Sequence, residues 1–223
     1  MNQPAHTRAV STRWLESGIT FAEGLQLQEQ LVIDRQEGSI NDTLLLLEHA
    51  AVYTIGRTSD KSSLQEAQLL PHPVFEINRG GKATYHGPGQ LTAYAILDLV
   101  PLGKDLHVYL RFLEEVLILT CQEFGVNAHR RDGLTGIWIE NRKMASIGVG
   151  VRKWVSMHGI ALNVTRESLP PFLSIVPCGL DGVSMTCLEV EAGRDLSVEE
   201  VGNAFARHFD TLVTAQRKQE TSA

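Results

Sequence analysis

The amino-acid sequence predicts a single α/β or α+β domain built from a mixed β-sheet with flanking helices. Stretches with three- and four-residue apolar spacing predict helices, and short apolar runs bounded by Gly, Asn or Asp predict strands. No internal repeat, low-complexity segment or linker divides the chain, and 223 residues suffice for one domain with a sizeable core. We expect that domain at residues 19–215, with flexible segments at 1–18 and 216–223.

Helices are predicted in three places. Residues 21–35 combine an apolar stripe with a glutamine-rich polar surface. Residues 106–124 carry the longest helical pattern, which Asp105 is placed to cap and Gly125 to end. A Ser-x-x-Glu capping-box pattern opens the third helix, at residues 197–215.

The remaining apolar runs are short, as strands are. Between two of them, the polar link Glu140-Asn141-Arg142 predicts a hairpin turn. The predicted strands cover residues 43–48, 52–55, 74–77, 92–99, 136–139, 143–151 and 155–164.

Composition limits the class of protein. Hydrophobic residues make up 43% of the chain, and no apolar run approaches the length of about 20 residues that spans a bilayer. Residues 1–8 lack the apolar core of a signal peptide, so we expect a cytoplasmic protein with its three cysteines as free thiols. A net charge of -6 disfavours broad nucleic-acid binding.

The basic residues are nevertheless bunched. Arg130-Arg131, Arg142-Lys143 and Arg152-Lys153 lie close together in the sequence. One hypothesis is a local cationic surface that receives an acidic protein, and the alternative is a set of ordinary solvated charges.

The most unusual segment is residues 79–90, between two predicted strands. Its glycines tolerate close backbone approach, and Pro88 fixes its own φ angle. Such a segment is either a tight turn or a loop shaped for a ligand. It reads Arg79-Gly80-Gly81-Lys82-Ala83-Thr84-Tyr85-His86-Gly87-Pro88-Gly89-Gln90.

This segment resembles the signature of the lipoyl(octanoyl) transferases, which are related to the biotin and lipoate protein ligases. Four more blocks match that family in the same order, over roughly residues 20–190, and five blocks together are far more specific than any one of them. The four are Leu46-Leu47-Glu48-His49 with residues 52–57, then residues 142–148, His158-Gly159-Ile160-Ala161-Leu162-Asn163-Val164, and Pro177-Cys178-Gly179.

The resemblance implies the mixed-sheet fold of the biotin and lipoate protein ligases and an acyltransferase activity. The implied reaction moves an octanoyl group from octanoyl-acyl carrier protein to one lysine of a lipoyl domain, as in 2-oxoacid dehydrogenase E2 subunits and the glycine-cleavage H protein. It serves protein lipoylation and lipoate biosynthesis. We expect no cofactor, no nucleic acid or membrane as partner, and a monomer.

Cys178 matches the family's acyl acceptor. A thiol suits the chemistry, because exchange between two thioesters keeps the acyl group activated for a second transfer. Taken alone, a free cysteine is more often a small buried hydrophobic residue. Cys187 ranks second as nucleophile and could form a disulfide with Cys178 on oxidation, whereas Cys121 fits helix packing.

Lys143 matches the family's catalytic lysine. Regular strand alternation would place it on one face with Ala145 and Ile147, which fits either a strand end in water or a buried cavity. Burial disfavours the charged form of a lysine amine, and an uncharged amine can take the proton of a thiol. His86 and His158 stay open as alternative bases.

The remaining matched positions are expected to bind substrate. Backbone N–H groups near Gly148 or Gly179 could hold the developing oxyanion. The expected binding residues are Arg79, Gly80, Gly81, Lys82, Ala83, Thr84, Tyr85, His86, Ser146, Ile147, Gly148, His158, Gly159, Ile160 and Ala161. No cysteine or histidine spacing typical of a metal site occurs.

Three other functions stay open. An ATP-dependent lipoate or biotin protein ligase would use a lysine but no cysteine nucleophile. A non-catalytic domain of the same fold would bind acyl-carrying proteins without needing both Cys178 and Lys143. A hydrolase would use Cys178 and pass the acyl group to water.

Overall fold

The computed structural model describes residues 9–56, 70–77, 82–175 and 183–220. Two sheets and four α-helices make up the described part. The large sheet contains β1 (Ser11–Trp14), β2 (Thr43–Leu47), β6 (Gln90–Ile96), β7 (Ile137–Ile139), β8 (Arg142–Arg152), β9 (Val155–Asn163) and β10 (Ser184–Met185). The small sheet contains β3 (Val52–Ile55), β4 (Val74–Glu76) and β5 (Ala83–His86). The helices are α1 (Phe21–Gln36), α2 (Leu106–Glu123), α3 (Leu188–Ala192) and α4 (Val198–Glu220), with 3₁₀ turns at Val100–Leu102, Arg166–Ser168 and Pro170–Ser174.

The large sheet is mixed and has helices on both faces. Its strand order is β1-β2-β6-β9-β8-β10, with β7 also paired to β8. Alternate residues of β2 enter different cores: Leu44 and Leu46 pack with α2 and α4, whereas Leu45 and Leu47 pack with α1. The predicted fold class, a mixed sheet with flanking helices, is confirmed.

The helices begin where the sequence places their capping residues. Asp105 accepts the N–H groups of His107 and Val108 at the start of α2, and the Ser197 hydroxyl accepts the Glu200 N–H at the start of α4. Thr20 caps α1 in a capping box that the sequence analysis did not predict. Each cap satisfies backbone donors that would otherwise lack a partner.

The glycine-rich segment is not one continuous loop. Residues 83–86 form β5, which pairs antiparallel with β3, and β4 pairs parallel with the other edge of β3. A core under this small sheet contains Tyr53, Tyr85 and Phe172. The prediction of a loop from residue 79 to residue 90 is therefore wrong at its centre, because pairing with a distant strand decides the conformation of those four residues.

Both ends of the described chain are more ordered than the sequence predicts. Residues 11–14 form the edge strand β1, parallel to β2, within the segment expected to be flexible. Helix α4 continues to Glu220, five residues beyond the predicted end at residue 215. Arg217, 8% exposed, pairs with the carboxylate of Asp42, which also accepts the Arg35 Nε–H at 2.5 Å. These buried pairs hold the end of α4 against the sheet.

Three of the four bunched arginines pair with carboxylates, and the fourth, Arg131, lies over the Trp138 ring. Lys143, which the hypothesis included, is buried. The ion pairs are Arg130 with Glu114 and Glu115, Arg142 with Glu140 and Glu191, and Arg152 with Glu29.

Within the described ranges, no helix combines the length and apolar character needed to cross a membrane.

His49 ties α1 to the large sheet. Its Nδ1–H donates to the Ile19 carbonyl at 2.9 Å, so its Nε2 accepts the Tyr94 hydroxyl at 2.6 Å. Burial lowers the pKa of His49 and outweighs the opposing effect of the hydrogen bond to Ile19. The neutral ring is therefore the form that the fold holds.

We expect Arg217→Ala to lower the free energy of unfolding by about 3 kcal/mol, because it leaves part of the charge of the buried Asp42 uncompensated. The matched control is Arg207→Ala on the same helix, where the arginine is 61% exposed and pairs with an exposed Glu123. That change should cost less than about 1 kcal/mol. Urea unfolding of both variants measures the difference, and equal losses would contradict the assignment.

A second prediction concerns pH. Because folding lowers the pKa of His49 from its ordinary value of 6.5, its contribution to stability is present above that value and is lost as the pH falls below it. Wild-type protein should therefore lose more unfolding free energy than His49→Asn between about pH 7 and about pH 5. Urea titrations at each pH test this, and parallel pH dependences in the two proteins would refute it.

Candidate active site

A cleft lies where the small sheet meets the large sheet. The small sheet contributes β5 and the residues beside it, and the large sheet contributes β6, β8 and β9. Counted together with its open mouth and the solvent there, the space measures about 490 Å³, and its surface is mainly apolar. A mainly apolar surface suits an aliphatic group.

Ten of the expected binding residues line this one cleft. They come from three separate blocks of the sequence, and the fold brings these blocks together. They are Lys82, Thr84, His86, Ser146, Ile147, Gly148, His158, Gly159, Ile160 and Ala161.

The other expected residues fall into two groups. Ala83 and Tyr85 alternate with the cleft residues of β5 and lie in the core of the small sheet, where burial raises the pKa of Tyr85 to about 12. Arg79, Gly80, Gly81 and the expected nucleophile Cys178 lie outside the described residues. Within β5, only every second residue of the predicted run faces the cleft.

Close strand contact shapes the cleft floor. Gly148 of β8 pairs directly with Gly159 of β9. A Cβ atom on Gly159 would lie 2.2 Å from the Ala93 carbonyl oxygen of β6, a distance that no side chain can adopt. Glycine at this position lets the backbones of β9 and β6 approach this closely beside the cleft.

His158 has a left-handed backbone, with φ of 60°, in the middle of a strand. This conformation costs a non-glycine residue about 1 kcal/mol or more. The Gln28 side chain supports it by accepting the His158 N–H at 2.7 Å, and Gln28 is itself anchored to the Gly24 carbonyl of α1. The local strain places the imidazole at the cleft, 4% exposed.

A chain of buried side-chain hydrogen bonds starts at His86. The Gln90 amide nitrogen donates to the Asn163 side-chain oxygen at 3.0 Å and to the Tyr85 carbonyl at 3.1 Å. Its oxygen must then accept the His86 Nδ1–H, at 2.9 Å. Asn163 in turn donates to the Thr186 carbonyl at 3.1 Å. The chain fixes the ring of His86 and links the small sheet to the large one.

Lys143 is 4% exposed and lies at the start of β8. The register between β7 and β8 shifts there, because Ile137 pairs with Ala145 but Trp138 pairs with Lys143. Met144 and Ala145 both enter the core beneath α2 and α4, so the regular alternation expected for this strand is wrong. The bulge turns Lys143 away from the face that packs beneath α2 and α4. The Lys143 amine lies 5.4 Å from the centre of the Trp138 ring.

Lys143 is close to the cleft in sequence and in strand pairing. Ser146, the nearest cleft residue of β8, follows three residues later, about 10 Å along a strand. Met185 of β10 pairs with Lys143 on β8. The described residues that flank the segment containing Cys178 are Ile175, in the core of the small sheet, and Val183, which directly precedes β10.

The other two cysteines are buried. Burial raises the pKa of the Cys121 thiol to about 12, and its sulfur lies 3.6 Å from that of Met144. Burial also raises the pKa of Cys187 at the start of α3. A high pKa keeps both sulfurs protonated at neutral pH, which opposes nucleophilic chemistry.

Three cleft residues were not among the expected ones: Phe21, Ile77 and Tyr94. Alternation along β6 would have placed Tyr94 on the face of Gln90, but nothing in the local pattern indicates that this face meets β5. Phe21 is the first residue of α1, and Ile77 directly follows β4.

Among the residues described, no group of three or more His, Cys, Asp or Glu side chains could hold a metal ion.

Comparisons with known proteins agree on one family. The family described as the lipoyl protein ligase A/B catalytic domain matches residues 20–210. An octanoyltransferase of Citrifermentans bemidjiense is 51% identical over 195 residues, which are 87% of this chain and 93% of that protein. An octanoyltransferase of Geobacter sulfurreducens is 52% identical over 88% of this chain and 82% of its own.

A solved structure shows the same fold at low sequence identity. The bipartite lipoate protein ligase of Thermoplasma acidophilum, described together with its E2 lipoyl domain, superposes with a TM-score of 0.65. The two chains are 16% identical, and the match covers 96% of this chain and 91% of the other. The chain belongs to the lipoyl protein ligase A/B catalytic-domain family, because the family matches most of its length and the two octanoyltransferases are 51% and 52% identical to it.

Proposed function

We propose that this acyltransferase moves an octanoyl group from octanoyl-acyl carrier protein to a lysine of a lipoyl domain, through a thioester on Cys178. The names of the relatives support octanoyl as the group transferred. The single observation that carries the proposal is the cleft, in which residues of three motif segments meet around a mainly apolar space. The proposed acceptors are the lipoyl domains of E2 subunits and the glycine-cleavage H protein.

The cleft supplies the binding energy for the aliphatic tail. Each buried methylene contributes about 0.8 kcal/mol, so an eight-carbon tail contributes about 5 kcal/mol. Phe21, Tyr94 and Ala161 contribute to the apolar wall, and the main chain at the paired Gly148 and Gly159 is available to the thioester end. A long charged group would gain nothing from this wall, which favours a medium-length fatty acyl group.

The proposed chemistry has two transfers. In the first, the Lys143 amine takes the proton of the Cys178 thiol, the thiolate attacks the thioester carbonyl, and the carrier thiolate leaves with the proton that Lys143 returns. In the second, the acceptor lysine attacks the enzyme thioester as a neutral amine and gives its proton to Lys143. The amide forms, Cys178 leaves as the thiolate, and Lys143 returns a proton to it. Thioester exchange is nearly isoenergetic, so the first step preserves the free energy that drives amide formation.

His86 and His158 then act as cleft residues with fixed orientation rather than as bases. The Gln90 contact commits the Nδ1–H of His86 to a hydrogen bond within the protein. The main-chain N–H of His158 is likewise committed to Gln28. The His86 ring and the His158 main chain are held in place before substrate arrives, which suits recognition of the thioester end.

Intact-mass analysis after mixing the protein with octanoyl-acyl carrier protein, without ATP, tests the proposal. We expect one octanoyl adduct, located on Cys178 by peptide mapping, which disappears on addition of a lipoyl domain. Dependence on ATP and free octanoate would indicate a ligase instead. Loss of the adduct to water in the absence of acceptor, at the rate of transfer, would indicate a hydrolase.

Lys143→Met tests the proton step, because methionine fills a similar volume without an amine. We expect turnover to fall by about 10²- to 10⁴-fold, the usual contribution of a general acid–base group, while binding of the carrier protein changes little. Lys153→Met, at an exposed turn of the β8–β9 hairpin, is the matched control and should keep wild-type turnover. Full activity in Lys143→Met would remove Lys143 from the mechanism.

A further inference from the structure

The geometry points to Trp138 as the residue that positions the Lys143 amine. This inference rests on the catalytic role proposed for Lys143. Trp138 is fully buried on β7 and pairs directly with Lys143 on β8. The lysine nitrogen lies over its ring, 5.4 Å from the centre. Once it has taken the thiol proton, the desolvated ammonium group of Lys143 is attracted to the negative face of the indole.

The lysine stem is guided by a second contact. Gly136 has a φ of 113°, and a Cβ atom there would lie 3.1 Å from the Lys143 Cε and 2.3 Å from the Ala145 carbonyl oxygen. The side chain of Lys143 therefore crosses the bare backbone of Gly136 on its way to the ring. The Gly136 N–H donates to the buried carboxylate of Glu114 at 3.0 Å, which fixes this stretch of backbone.

Polar features surround the buried Trp138 ring. The indole N–H of Trp138 is buried and has no hydrogen-bond partner among the residues that the structure describes. The Arg131 guanidinium also lies over the ring, 4.8 Å from its centre. Two basic side chains thus lie over one buried aromatic ring, and local departures of this kind from apolar packing gather at functional sites.

The β-bulge explains how the pair forms. In a regular strand Lys143 would share a face with Ala145, which packs against the helices. The register shift between Ile137 and Trp138 instead sets the lysine beside the indole. Trp138 therefore acts on catalysis through Lys143 as a positioning residue and does not touch the reacting atoms.

Substitutions of Trp138 test the inference. Trp138→Phe keeps an aromatic face, so kcat should stay within about threefold of wild type. Trp138→Leu and Trp138→Met remove the ring and should lower kcat about tenfold, equal to about 1.4 kcal/mol, with KM nearly unchanged. Trp154→Leu, at a 39% exposed position on the β8–β9 turn, is the matched control. Wild-type kcat in a folded Leu or Met variant, or an equal loss in the Phe variant, would overturn the inference.

Amine labelling separates this inference from the proposed function. An N-hydroxysuccinimide ester should acylate Lys143 several-fold faster in Trp138→Leu or Trp138→Met than in wild type, Trp138→Phe or Trp154→Leu, as read by peptide mass spectrometry. Unchanged labelling would refute the positioning role whatever the kinetics. If Lys143→Met is fully active but labelling responds to Trp138, the proton step fails and the positioning stands.

A spectroscopic test needs no change at Trp138. In a Trp14→Phe/Trp154→Phe background, Trp138 is the single emitting tryptophan of the three in the chain. Removing the neighbouring cation by Lys143→Met should move its emission maximum. An unmoved emission maximum would show that the amine does not sit over the ring and would overturn the inference.

Discussion

The hydrogen-bond chain from His86 through Gln90 and Asn163 to the Thr186 carbonyl sets the geometry on which the cleft depends. It crosses from the small sheet to the large one, and both side-chain amides in it donate and accept hydrogen bonds. Buried amides of this kind favour one arrangement strongly, because any shift leaves a desolvated donor or acceptor without a partner. The spacing between β5 and β9, and so the width of the cleft, follows from it.

The same chain reaches the lysine strand. The Thr186 N–H donates to the Lys143 carbonyl at 2.9 Å, and the Thr186 hydroxyl donates to Glu191, which in turn pairs with Arg142. The histidine of the glycine-rich segment and the buried lysine are therefore parts of one polar network rather than separate features. The chemistry proposed here needs that rigidity, because proton transfer and thioester attack depend on placement within a few tenths of an ångström.

Much of this fold is readable from the chain, for local reasons. The boundaries of α1 and α2 follow from apolar spacing and from Asp105, and the β7–β8 turn follows from its polar residues. The strand nature of residues 83–86 is not readable, because four residues carry too little periodicity and β3 decides their pairing. The bulge before Ala145 cannot be predicted from the sequence either, because the alternation pattern assumes a regular strand. The five blocks indicate the cleft residues through family resemblance, whereas Phe21 and Ile77 enter it only through tertiary packing.

Asp42 contacts both the first and the last element of the described chain. Its backbone carbonyl accepts the N–H of Ser11 at the start of β1, and its carboxylate receives Arg217 near the end of α4. The first and last described elements thus meet at one residue, on the opposite side of β6 from the β8 and β9 walls of the cleft. Neighbouring ends are the condition for circular permutation. A link between β1 and α4, with a new break at an exposed turn such as Lys153-Trp154, would change the order of the motif blocks and keep their spatial arrangement.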